Sequence, residues 1–119
     1  MSLITWFNQF YIYVERSHLS ADAQALFLFI LHIYNTERFN GPYNEGWIYP
    51  SLVEIPTPRI MKTMGWTDRR RLYKARDELK EKKLLTVHPG RGVGATCYEL
   101  ADENRIKEVL EEEIKKWIN

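Results

Sequence analysis

The sequence predicts a mainly α fold with a small antiparallel β-wing, and three observations predict it. Between Thr57 and Leu100 a short helical stretch, a tight turn at Gly65, a longer helical stretch and two β-rich runs around a glycine-rich tip follow one another. Ahead of them lie two stretches with apolar residues at helical spacing, and behind them a third. The whole is 119 residues, 45% hydrophobic and 28% charged, which suits one soluble domain spanning residues 1–119 with a real core.

The first helix is expected over residues 3–16. Its apolar positions Leu3, Phe7, Phe10 and Val14 are flanked by Ile4, Trp6, Tyr11 and Tyr13, an arc wider than one packing face needs. Two readings follow. Either this is a core helix with aromatic overhang, or Trp6, Phe7, Phe10 and Tyr11 meet another chain, since aromatics are favoured in interface cores. Ser20 is a good N-cap for the next helix, with Asp22 in its first turn, running to about Arg38. Apolar nearly all round, it reads as a buried central helix, and His32 within it has no ligand-spaced partner. Residues 39–56 read as a loop in which Trp47-Ile48-Tyr49 is a strand candidate expected to pair with the wing, or else an aromatic loop packed on the core.

Thr57 is expected to cap a short helix with Pro58 at its first position, and Gly65 to close it in the left-handed conformation. Thr67 is expected to cap the next helix, over residues 67–83, with Leu72, Ala75 and Leu79 as a narrow apolar stripe. The runs 84–87 and 95–100 make the wing, with Arg91 at its tip. Asp102 caps a last helix over 102–118, with Ile106, Val109, Leu110, Ile114 and Trp117 apolar and three Glu–Lys pairs at i,i+4. Glu113 falls inside that stripe, and the helix either packs back on the first or begins a linker.

The net charge of +1 conceals an uneven distribution. Residues 57–100 hold eleven Lys and Arg against five Asp and Glu, whereas residues 1–56 and 101–119 are both net acidic. The segment with short helix, turn, longer helix and hairpin is therefore the basic one. That order is the order of a winged helix-turn-helix, here with extra N-terminal and C-terminal helices, and its charge suits a polyanion. Taking Leu72 as inward, a rotation of about 100° per residue turns Arg70, Lys74, Asp77 and Glu81 outward, with Arg71 and Tyr73 to the sides and Arg69 and Arg76 near the core edge. The expected DNA contacts are Arg59, Lys62, Thr67, Arg70, Arg71, Tyr73, Lys74 and Arg91: arginines for bases, lysines for phosphates, and glycines letting the wing approach.

Other chemistry finds no support. Three histidines, one cysteine and no clustered carboxylates give no nucleophile–base pair and no metal set, so neither an enzyme nor a cofactor is expected. Gly90–Gly94 lacks the Lys-Ser/Thr and the helix of a phosphate loop. The lone Cys97 fits a reducing compartment, and the longest apolar run is too short to cross a bilayer, so a cytoplasmic protein without membrane partners is expected.

The runs Leu19-Ser20-Ala21-Asp22-Ala23-Gln24-Ala25-Leu26, Trp47-Ile48, Ile60-Met61-Lys62-Thr63-Met64-Gly65-Trp66-Thr67, Lys74-Ala75-Arg76-Asp77-Glu78-Leu79 and Leu84-Leu85-Thr86-Val87 with Gly90-Arg91-Gly92 together resemble the N-terminal winged-helix domain of DnaD-like phage replication proteins, the replisome organisers. The resemblance covers residues 3–100. It implies a role in initiating DNA replication, with a helicase loader or helicase as protein partner and self-association, as a homo-dimer or higher oligomer, in this domain. The expectation is a non-catalytic binder of double-stranded DNA; the alternatives are an oligomerisation scaffold of a replication complex and a transcriptional regulator.

Overall fold

A computed structural model describes residues 2–41, 46–91 and 95–118. Those residues form five helices and two small antiparallel sheets, a mainly helical fold. In order they are α1 (Leu3–Ser17), α2 (Ala21–Thr36), β1 (Phe39–Asn40), β2 (Trp47–Ile48), β3 (Val53–Pro56), α3 (Thr57–Met64), α4 (Arg69–Glu81), β4 (Leu85–Pro89), β5 (Ala95–Leu100) and α5 (Glu103–Ile118).

The core is built around α2. Ser20 caps it as expected, its Oγ accepting from the Ala23 N–H at 3.2 Å. Ala23, Leu26, Phe27, Ile30, Leu31, Ile33 and Tyr34 are all buried. On one side Phe10 of α1 stacks on Phe27, ring centroids 3.9 Å apart. α5 then lies along α1 in the same direction. The Trp6 indole N–H donates to the Ala101 carbonyl at 2.9 Å near one end. Near the other, the Tyr13 hydroxyl donates to Glu113 at 2.8 Å, and Ser17 Oγ donates to the second carboxylate oxygen. Asp102 caps α5, accepting from the Arg105 N–H at 2.8 Å. The C-terminal helix thus packs back on the N-terminal one.

This packing corrects half of the expected interface. Trp6 is 2% exposed and Phe10 fully buried, because α2 and α5 take up the wide apolar arc of α1. Phe7 remains 41% exposed, its ring against the half-buried Tyr11.

Trp47-Ile48 does not pair with the wing. It pairs with Phe39-Asn40 in a separate two-stranded ribbon. The third strand is β3, in a sheet ordered β3-β5-β4 with Val53 opposite Tyr98 and Leu85 opposite Leu100. Val53 and Ile55 face the core while Glu54 and Pro56 face out, the alternation of a half-buried strand. Tyr34 ties this sheet to α2: its hydroxyl lies 3.0 Å from the Ser51 carbonyl and 3.1 Å from that of Tyr98, and accepts from the Leu100 N–H.

Candidate nucleic-acid interface

β3 delivers the chain directly into α3. Thr57 is the first residue of that helix and is buried, so Pro56 stands in the cap position and no side chain caps it; Pro58 sits in the first turn. Ile60 turns inward and Arg59, Lys62 and Thr63 outward. The helix ends as expected: Gly65 takes φ 71°, and the Gly65 and Trp66 N–H groups return to the Lys62 and Met61 carbonyls.

The following helix starts later than Thr67. Asp68 is its cap, Oδ1 accepting from the Arg70 N–H at 2.9 Å, and Thr67 is an exposed turn residue. Leu72, Ala75 and Leu79 form the buried stripe of α4, and Arg70, Lys74, Asp77 and Glu81 are exposed on its other side. α4 closes in the same manner as α3, with Lys83 left-handed at φ 60° and Leu84 N–H returning to the Leu79 carbonyl.

Two contacts fasten α4 to the start of α2. Glu78 accepts from both the Ser20 N–H (2.8 Å) and the Ser20 hydroxyl (2.6 Å). Arg71 grips Asp22 with two hydrogen bonds, 2.7 and 3.1 Å, while its guanidinium lies over Trp66. The Arg71 hydrogen bond holds the Asp22 carboxyl below its ordinary range. Arg71 therefore positions α4 instead of extending toward a ligand, a correction to its expected role.

The other expected contacts are outward and accessible. Arg59, Lys62, Lys74 and Arg91 are exposed and make no ion pair among the described residues. Tyr73 is 44% exposed, with the Arg76 guanidinium 5.3 Å from its ring. Arg70 is not free as expected: its guanidinium pairs with Asp68 at 2.8 Å, with the Arg70 side chain 90% exposed. An exposed pair of this kind contributes little to stability. Arg69, placed near the core edge by rotation alone, is exposed and unpaired among the described residues.

In the hairpin, a Cβ on Gly90 would come within 2.5 Å of the Ala95 carbonyl oxygen, so only glycine admits this close strand approach. Arg91 follows it, exposed at a bend. The expected tip residues Gly92, Val93 and Gly94 lie outside the described residues. Behind the tip, His88 Nε2 lies 2.9 Å from Glu99 Oε1 across the strands.

A different surface lies between α1 and α2. Leu3, Ile4, Phe7, Leu28, Leu31, His32 and Asn35 line an apolar groove, with Ile4 72% exposed at its rim. Among the described residues no helix is long and apolar enough to cross a membrane, and no three His, Cys, Asp or Glu side chains stand close enough to hold a metal ion. No family model, curated protein or solved structure matches the chain.

Proposed function

We propose that the chain is a winged helix-turn-helix domain that binds double-stranded DNA without catalysis, α4 entering the major groove and Arg91 reaching along the backbone. One observation carries this reading. The outward sides of α3 and the first half of α4 hold Arg59, Lys62, Arg69, Arg70 and Lys74 exposed, with Asp68 paired to Arg70, while Glu78 and Asp22 are engaged between α4 and α2 and the exposed Asp77 and Glu81 fall on the second half of α4. The element order and the β3-β5-β4 sheet support the same reading. The resemblance to DnaD-like phage replication proteins makes initiation of DNA replication the process, with a helicase loader or helicase as protein partner. Fluorescence anisotropy of a labelled random-sequence duplex tests the reading at two salt concentrations. Binding that weakens steeply with salt is expected, and absence of binding, or binding indifferent to salt, overturns it.

A second reading, self-assembly, is favoured by the α1–α2 groove, whose rim leaves Ile4 and Phe7 exposed. Sedimentation of an Ile4→Ser, Phe7→Ser variant beside the wild type tests it: a fall in mass supports assembly through this groove, and an unchanged mass removes it.

A further inference from the structure

The geometry points to Arg70 as a reader of guanine, held in register by Asp68; the inference rests on the duplex-binding reading and assigns the base that α4 recognises. Asp68 does two things at once. Its Oδ1 caps the helix by accepting from the Arg70 backbone N–H, and its carboxylate also grips the side of the Arg70 guanidinium, Nε at 3.0 Å and Nη2 at 2.8 Å. The Arg70 hydrogen bonds hold that carboxyl below its ordinary range.

The gripped edge is the one formed by Nε and Nη2. The other edge, Nη1 with the second N–H of Nη2, stays open on a side chain that is 90% exposed. Two parallel N–H donors with fixed spacing match the O6 and N7 acceptors that guanine presents in the major groove. An arginine serving only phosphates gains nothing from a carboxylate at its side, since that carboxylate is repelled by the backbone it approaches. Further along the same face Asp77, Glu78 and Glu81 follow Tyr73 and Lys74, which makes the far half of α4 less suited to DNA and leaves its N-terminal half for contact. With Asp68 holding one edge of Arg70 at the cap, the first turn of α4 is the part suited to base edges, with the phosphate contacts left to Lys62, Lys74 and Arg91.

The test uses the full chain and a pool of duplexes with a randomised central stretch, sequencing the bound fraction. The wild type is expected to enrich guanine at one position by roughly ten-fold or more over the other bases. Arg70→Ala is expected to erase that enrichment at that position alone, and Arg70→Lys not to restore it, because an ammonium lacks the fork. Asp68→Asn separates orientation from capping, since asparagine caps as well as aspartate. It is expected to keep the melting temperature while reducing the guanine preference several-fold. Enrichment that survives Arg70→Ala or Asp68→Asn overturns the assignment, as does a wild type that binds the pool with no guanine preference, though in both cases duplex binding itself stands. Failure of the wild type to bind the pool at all overturns the duplex reading together with this one.

Discussion

Replacing Lys62 and Lys74 together by alanine separates a DNA-facing surface from an ordinary solvated one. Both side chains are exposed and neither is ion-paired among the described residues, so their removal breaks no contact that holds the fold. If each neutralises one phosphate of a duplex, each contributes about 0.9 to the slope of log affinity against log salt, and the double variant loses about 1.8. Between roughly 50 and 200 mM salt, the variant's affinity should then fall about twelve-fold less than that of the wild type. Anisotropy titrations at four or five salt concentrations measure both slopes, with thermal melts confirming equal stability. Arg71→Ala is the internal contrast. Its side chain is engaged by Asp22 and Trp66, so it should loosen the α2–α4 junction and lower the melting temperature while leaving the slope nearly unchanged. Equal slopes for the wild type and the lysine variant, or a slope reduced as much by Arg71→Ala, refutes the placement of α3 and α4 against the backbone.

Further outcomes follow from the core. Phe10→Ala removes a fully buried ring stacked on Phe27 and should cost about 3–5 kcal/mol in urea unfolding, whereas Phe7→Ala, at 41% exposure, should cost far less. Similar losses for both would contradict the packing of α1. Tyr34→Phe leaves the Ser51 and Tyr98 carbonyls and the Leu100 N–H without their shared partner, an expected loss of about 1–3 kcal/mol. Burial pushes the Tyr34 hydroxyl up to about 12 and raises those of Tyr13 and Tyr98 as well. Because the folded state favours their neutral forms, stability should be full below pH 10 and fall as pH rises beyond it, seen as phenolate absorbance appearing together with unfolding. At the acid end, burial alone would raise the Glu113 carboxyl, but hydrogen bonds from Ser17 and Tyr13 and the nearby Lys82 ammonium outweigh it and hold the group below its ordinary 4.5. Its contribution is therefore present above pH 4.5 and lost as pH falls through the lowered value, and Glu113→Gln should flatten stability across that window.

The features legible in the sequence were local ones. Ser20, Gly65 and Asp102 each stand where a helix end needs a hydroxyl, a left-handed residue or a carboxylate, and the outward side of α4 followed from Leu72 and the helical repeat. The misreadings involve partners distant in sequence or competition between neighbours. Nothing near Arg71 reveals that Asp22, 49 positions earlier, will hold it. Trp6 and Phe10 looked surplus because the helices that cover them come later in the chain. Val53-Glu54-Ile55 is too short to signal a strand between two prolines, whereas the aromatic Trp47-Ile48 carries the stronger strand signal but pairs elsewhere. Thr67 and Asp68 are both good caps, and only the backbone decides between them. Glu113 interrupted an apolar stripe, and the structure supplies the reason in the hydroxyls of Tyr13 and Ser17.

The side-by-side course of α1 and α5 bears on how the chain is made. Phe10 and its partner Phe27 lie close in sequence, but Trp6 must meet Ala101, 95 residues downstream, and Tyr13 must meet Glu113, 100 residues on. At about 5–20 residues per second on the ribosome, that is an interval of some 5–20 s between the synthesis of each of these side chains and that of its hydrogen-bond partner. The packing between α1 and α5 is thus completed only once the chain that separates them has been made.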